Sequence, residues 1–162
     1  MSSDDRRRYL RIYVADHSAA ATAGVALTRR CLRSNEGTAL GDVLRELLSQ
    51  IEEDATTLAA MRAELGLKDA PLKRAVALVG ERLARVKFNG RLVGYSPLSR
   101  LIEIEAILTG IDAKRSLWLA LQQHAHAAAL DRFDLSELVG RAEKQRSALR
   151  PHHLDAAAAA FG

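Results

Sequence analysis

The stretch from Leu40 to Leu65, LGDVLRELLSQIEEDATTLAAMRAEL, decides the fold. Its apolar residues recur at spacings of three and four, which is the stripe that a helix buries in a bundle. Thr38 stands where an N-cap is expected, and Gly66 follows the last apolar residue. One acid, Asp54, interrupts the stripe, whose members are Leu40, Leu44, Leu47, Ile51, Asp54, Leu58, Met61 and Leu65.

Similar start and stop signals divide the rest of the chain into helices. A first helix is predicted from about Arg8 to Arg33, followed by SNEG, and a third from Asp69 to the FNG that ends at Gly90. Ser96 and Pro97 mark the start of a fourth, with a kink or restart between Gly110 and Asp112. A last helix is predicted from Asp131 or Asp134 to about Leu149, with Pro151 breaking or kinking it.

The composition supports the same architecture. Aromatic residues make up only 4% of the chain, and just three prolines occur. Alanine, leucine and arginine, all good helix formers, dominate. We therefore predict one all-α domain over residues 1–150, an antiparallel, ferritin-like bundle of five to six helices. Residues 151–162 are predicted to form an alanine-rich C-terminal tail.

Charge, cysteine content and hydropathy bear on the partners of the protein and on its cellular compartment. The formal net charge is +4, which permits contact with nucleic acid without requiring it. The single cysteine, Cys31, excludes an internal disulfide and is typical of a reducing cytoplasm. We find no apolar stretch of ~18 residues that could span a membrane. The expectation is a cytoplasmic protein without membrane insertion.

Polar residues on the predicted apolar stripes are the candidate functional residues. His17 lies on the stripe of the first helix, in YVADHSAAATAG, with Asp16 at its edge. The small residues that follow would let another helix approach closely there. On a helical wheel Glu105 falls inside the apolar arc of the fourth helix, and Glu103 lies opposite. His124 interrupts a later stripe.

We predict that His17 and Asp54 form a charge-assisted hydrogen bond between the first two helices. Such a pair would satisfy two buried polar groups and set the register of the helices. A structural or partner-binding role, without catalysis, is the interpretation that this arrangement favours. A homodimer is one form that such a role could take.

Three segments, YVADHSAAATAGVALTRR, IEEDATTLAAM and NGRLVGYSPLSRLIEIEAI, resemble uncharacterised bacterial helical proteins with ferritin-like bundles. The resemblance extends from about Leu10 to Leu121 and implies the fold, with no substrate. Ferritin-like di-metal sites use Glu-x-x-His on two helices. No glutamate here has a histidine three residues later.

A degenerate metal site is therefore the first alternative. His17, Asp54 and Glu105 would ligate Fe, Mn or Zn, with Asp16 as a further candidate ligand. Nucleic-acid binding is the second alternative. It rests on basic residues that are densest in the predicted third helix and the turn after it: Lys73, Arg74, Arg82, Arg85, Lys87 and Arg91.

Overall fold

The structure is a computed structural model that describes residues 2–67, 95–123 and 127–162. In these ranges the regular elements are helical: α1 (Ser3–Ser34), α2 (Ala39–Glu64), α3 (Pro97–Gln122), a short 3-10 helix (Ala127–Leu130) and α4 (Leu135–Phe161). The all-α prediction is confirmed. The described ranges hold four α-helices rather than five to six, and the helix predicted from Asp69 lies outside them.

Three predicted helix starts agree with the observed caps, whereas α1 begins at Ser3, with Ser2 as its N-cap, rather than at about Arg8. The side chain of Thr38 accepts a hydrogen bond from the backbone N–H of Gly41, and Ser96 accepts one from Ser99. Asp134, one of two candidates, caps α4 by accepting from Glu137. Helix ends follow local chemistry, because each cap satisfies N–H groups that have no partner inside the helix.

The predicted stop and restart between Gly110 and Asp112 is wrong, because α3 continues without a break. Glycine within a helix costs only about 1 kcal/mol relative to alanine. The buried residues Ile107, Ile111 and Leu117 continue the apolar face across this point. Their packing outweighs the local preference of glycine for a turn.

The predicted end of the last helix near Leu149 is also wrong. Helix α4 runs through Pro151 to Phe161, so the alanine-rich residues 151–162 belong to it. Pro151 lies on the exposed side of the helix, whereas Leu149 and Ala156 on either side of it are buried. The apolar packing of these two residues holds the helix together past the proline, which removes one backbone hydrogen bond.

Two apolar clusters show the directions of the helices. The first cluster contains Leu44 of α2 and Leu149 of α4, and the second contains Met61 and Leu138 of the same helices. The order in which a helix passes the two clusters gives its direction. Helices α1 and α4 run from the second cluster to the first, whereas α2 and α3 run from the first to the second. Helix α1 packs against α2 and α3, and α4 packs most extensively against α3.

The parallel course of α2 and α3 has a simple consequence. The end of α2 and the start of α3 lie at opposite ends of the bundle. The region between the two apolar clusters is enclosed by all four helices, and this is where the candidate site lies. None of the helices in the described ranges is long and apolar enough to cross a membrane.

Candidate functional site

A layer of polar side chains separates the two apolar clusters. Asp54 interrupts the stripe of α2, Lys114 that of α3 and Gln145 that of α4. Asp54 is only 3% exposed and Gln145 only 2%. Each of these residues has a buried apolar residue on either side of it at helical spacing: Ile51 and Leu58 for Asp54, Ile111 and Leu117 for Lys114, and Ala142 and Leu149 for Gln145. The layer therefore joins three helices at the same level of the bundle.

Asp54 is held by two cations. Lys114 Nζ lies 2.5 Å from Asp54 Oδ2. Arg141 Nη2 lies 2.8 Å from Asp54 Oδ1, and Arg141 Nη1 donates to the exposed Glu53 at 3.0 Å. Both carboxylate oxygens therefore face a cation, although Oδ1 accepts no hydrogen bond from the described residues, and the two cations partly compensate the desolvation of the buried carboxylate.

Gln145 completes the layer as both an acceptor and a donor of hydrogen bonds. Its side-chain carbonyl accepts a hydrogen bond from Lys114 Nζ at 2.6 Å. Its amide donates to Gln50 Oε1 at 3.1 Å and, more weakly, to Asp54 Oδ2 at 3.4 Å. Burial lowers the pKa of Lys114 from its ordinary value, and the neighbouring Asp54 carboxylate opposes that shift. The charged form of Lys114 is thus stabilised by its buried partner Asp54.

The structure does not contain the predicted hydrogen bond between His17 and Asp54. His17 is half-buried, and its ring contacts the edge of Tyr13, with 4.6 Å between the ring centroids. Burial lowers the pKa of His17, against an opposing effect of the adjacent Asp16. His17 and Asp54 do line the same cavity, but the two cations from α3 and α4 reach the carboxylate instead.

The predicted orientation of α3 is wrong. Glu105 is exposed, and its carboxylate meets His153 Nε2 of α4 at 3.1 Å on the surface. Glu103 is the buried acid, only 4% exposed. Helix α3 packs against both α1 and α4, so its buried arc is wider than a single stripe and extends to Glu103. Asp16, the further candidate ligand, is exposed.

Glu103 belongs to a second polar cluster near the end of α1. It forms an ion pair with Arg30 at 2.5 Å and accepts a hydrogen bond from Tyr95 Oη at 3.0 Å. Tyr95 Oη also accepts from Asn35 Nδ2 and lies 3.7 Å from Cys31 Sγ. Burial raises the pKa of Cys31 to about 12, so the thiol stays protonated and unreactive.

The three predicted metal ligands are not brought together. Asp54 lies in the polar layer, His17 borders the cavity and Glu105 is on the outer surface. Within residues 2–67, 95–123 and 127–162, no three His, Cys, Asp or Glu side chains come close enough to share a metal ion. His124 and the basic residues of the predicted third helix lie outside the described residues.

A cavity of about 70 Å³ lies beside the polar layer, between α1, α2 and α3. Small residues form much of its wall, and a Cβ atom added at Gly24 or Gly110 would meet nothing within 4 Å. Gly110 is exposed, which places an opening of the cavity on that side. The small residues that line it are Ala20, Ala21, Gly24, Ala55, Ala106, Gly110 and Ala113.

Trp118 gives this cavity an unsatisfied polar group. The side chain is fully buried, with 0% exposure, and it lines the cavity together with Lys114. Its indole Nε1–H has no hydrogen-bond acceptor among the residues that the structure describes. A buried donor without an acceptor is uncommon and costs about 1–3 kcal/mol.

Sequence reasoning missed Lys114, Arg141 and Gln145. For Lys114 a signal was present, because it follows Ile107 and Ile111 and precedes Trp118 at helical spacing, as Asp54 does in its own stripe. The kink or restart predicted at Gly110 divides that stripe in two, so Lys114 does not stand out in it. Arg141 is partly exposed and adjoins the buried Ala142, so no pattern in its own helix distinguishes it from a surface arginine.

Comparisons of the chain with profiles of protein families, with curated proteins and with solved structures gave no match. The geometry of the cavity and of the polar layer therefore carries the functional argument.

Proposed function

We propose that this protein is a non-catalytic binding protein whose cavity between α1, α2 and α3 holds a small molecule. The observation that carries the proposal is Trp118, a residue of the cavity lining whose fully buried indole N–H has no acceptor among the described residues. A bound molecule with an acceptor atom would remove the cost of that unpaired donor.

The rest of the lining suits an apolar body with one polar end. Most of the wall is alanine, isoleucine and leucine, and its polar members are His17, Thr28, Asp54, Lys114 and Trp118. Ligand sites commonly combine apolar walls with a few polar groups that orient the ligand. Two helical glycines, Gly24 and Gly110, leave space that an alanine would begin to fill.

The polar layer has a positioning role in this proposal. Asp54 is ion-paired with Lys114 and Arg141, so both of its oxygens face cations and it is a poor candidate for a general base. Its ion pairs connect α2 to α3 and α4. They therefore hold the cavity wall in one arrangement and keep Lys114 beside the cavity.

The cavity limits the size and the affinity of the ligand. A cavity of about 150 Å³ accommodates benzene, so 70 Å³ encloses roughly three to four non-hydrogen atoms, and propionate or propionamide, with one atom more, would reach into the opening beside Gly110. Very small ligands gain at most about 1.5 kcal/mol per atom, which gives dissociation constants of tens of micromolar at best. The test must therefore extend to millimolar concentrations of the probe.

Trp118 is the only tryptophan in the chain, so its indole N–H gives a single NMR signal. We expect a saturable shift of that signal when 1-propanol, propionamide or propionate is titrated into the protein. Gly110→Leu, which places a side chain in the open space, should abolish the shift. Gly140→Leu is the matched control, because an added Cβ there also meets nothing and Gly140 lies outside the cavity lining.

Two outcomes contradict the proposal. One is the absence of any saturable change at the indole signal with all three probes. The other is equal binding by wild type and by a folded Gly110→Leu variant, because binding would then occur elsewhere.

The ferritin-like resemblance remains a proposal about the fold. It is supported by the parallel course of α2 and α3, because ferritin-like bundles contain one long crossover connection. The nucleic-acid and homodimer predictions stay predictions. The basic residues that motivate the first lie mainly outside the described ranges.

A further inference from the structure

We infer that the cavity prefers a short-chain monocarboxylate to a neutral or cationic molecule of the same size. This inference rests on the proposed function, because it names the class of ligand that the same cavity would take. Three features of the polar end carry it: the charges around Asp54, the free donors beside the cavity and the shape of the remaining space.

Positive charge exceeds negative charge in the buried layer. Asp54 contributes one carboxylate, which Lys114 and Arg141 share. Arg141 has a further partner in Glu53, but that side chain is 63% exposed and is screened by water. The side chain of Lys114, by contrast, is only 14% exposed. An anion in the adjacent cavity would offset the excess charge in a region where water screens weakly.

The hydrogen-bond donors match a carboxylate. An ammonium group carries three N–H donors, and Lys114 uses two of them on Asp54 and Gln145. The third N–H of Lys114 and the Nε1–H of Trp118 come from two residues that line the same cavity, four positions apart on α3. Residues four apart on a helix lie on the same face. A carboxylate has two oxygens, so it could accept from both donors at once.

The remaining space favours a short alkyl group. Beyond the polar end the lining is formed by small and apolar side chains, including Ala20, Ala106 and Ile107. Inorganic phosphate would place hydrated oxygens against these walls and leave them without donors. Propionate has an alkyl group for the apolar wall and a single planar anionic group for the two donors.

The test compares propionate with propionamide, which has the same shape and no charge, and with propylammonium, a cation with an alkyl chain of similar length. We expect propionate to bind wild type at least about tenfold more tightly than propionamide, and propylammonium to bind least. Lys114→Met should remove that preference. Lys144→Met, an exposed lysine on α4, should keep it as the matched control. The indole N–H of Trp118 reports binding in each variant.

Trp118→Phe provides a second measurement should Lys114→Met fail to fold. This variant keeps an aromatic side chain and removes the N–H donor. Propionate binding, followed by the signals of ¹³C-labelled ligand, should weaken about fivefold. Unchanged propionate affinity in folded Trp118→Phe would overturn the inference.

The possible outcomes separate the two proposals. If propionamide binds as well as propionate, the inference fails while the proposed function stands. Tighter binding of propylammonium would also overturn the inference, because it would mean that Asp54 dominates the field in the cavity. If none of the three compounds binds, both the inference and the proposed function fail.

Discussion

Asp54 of α2 and Lys114 of α3 form a buried ion pair at the middle of the bundle, with 2.5 Å between the carboxylate and the ammonium. The pair lies between two apolar clusters, and Arg141 and Gln145 of α4 contact the same carboxylate. A single acid in the leucine stripe of α2 is thus the point at which three helices meet.

Asp54→Asn should destabilise the fold strongly. It leaves Lys114 and Arg141 without their shared anion, and removal of one partner from a buried pair typically costs about 3–5 kcal/mol. The loss should appear as a lower midpoint of urea unfolding with little change in the slope.

The double variant Asp54→Leu with Lys114→Met is the control. Replacing both partners by apolar residues should recover much of the lost stability, because neither charge is then buried alone. A single Asp54→Asn variant as stable as wild type would show that the ion pair does not hold the helices together.

Glu103→Gln should destabilise the protein, and Glu105→Gln should not. Glu103 is buried and bound to Arg30 and Tyr95, so loss of its charge should cost about 1–3 kcal/mol. Glu105 is exposed, and a surface pair with His153 contributes about 0–1 kcal/mol. Denaturant unfolding at neutral pH compares the two. A larger loss of stability in Glu105→Gln than in Glu103→Gln would support the orientation of α3 that the helical wheel predicts.

Gly24→Ala should stabilise the fold and weaken ligand binding. Alanine is favoured over glycine in a helix by about 1 kcal/mol, and its Cβ would meet no atom within 4 Å. That methyl group also takes space in the proposed site. Thermal unfolding should show a higher midpoint, and titration with propionate should show a higher dissociation constant.

Gly140→Ala separates these two effects. Alanine at this position gains the same helix propensity, and its Cβ would also meet no atom within 4 Å, but Gly140 lies on α4, away from the cavity lining. It should raise the unfolding midpoint and leave ligand affinity unchanged. Equal affinity in Gly24→Ala and Gly140→Ala would argue against a ligand in this cavity.

Stability should fall as the pH is lowered through about 6.5, the ordinary pKa of histidine. Burial lowers the pKa of His17, so the unfolded chain binds a proton at a pH where the folded protein does not. The folded state therefore loses stability below the unfolded pKa, until the pH reaches the folded pKa.

His17→Gln should reduce this loss between about pH 7 and pH 5.5, where carboxylates contribute little. Urea unfolding at both values measures the difference in the free energy of unfolding. His152→Gln removes another imidazole and serves as the control. An unchanged pH dependence in His17→Gln would assign the effect to other groups.

Ala156→Asp should destabilise the fold by at least about 2 kcal/mol, because it places a charge in the first apolar cluster. Ala159→Asp, on the exposed side of the same segment, should change stability by no more than about 0.5 kcal/mol. Urea unfolding compares both with wild type. Similar effects of the two substitutions would mean that the segment after Pro151 does not pack on the bundle.

The sequence by itself determined the helical class, the caps at Thr38 and Ser96, and the burial of Asp54. These features depend on local chemistry: a capping side chain bonds to the backbone three residues later, and a stripe at helical spacing shows which face is apolar. Neither needs knowledge of a neighbouring helix.

Only the tertiary structure decided the rest. The partner of Asp54 depends on which cations α3 and α4 bring to its level, and these proved to be Lys114 and Arg141 rather than His17. Glu103 is buried because α3 packs against two helices at once, which widens its buried face. Helices α3 and α4 continue past Gly110 and Pro151 because packing between helices outweighs the local cost of each residue, about 1 kcal/mol for glycine and about 3 kcal/mol for proline.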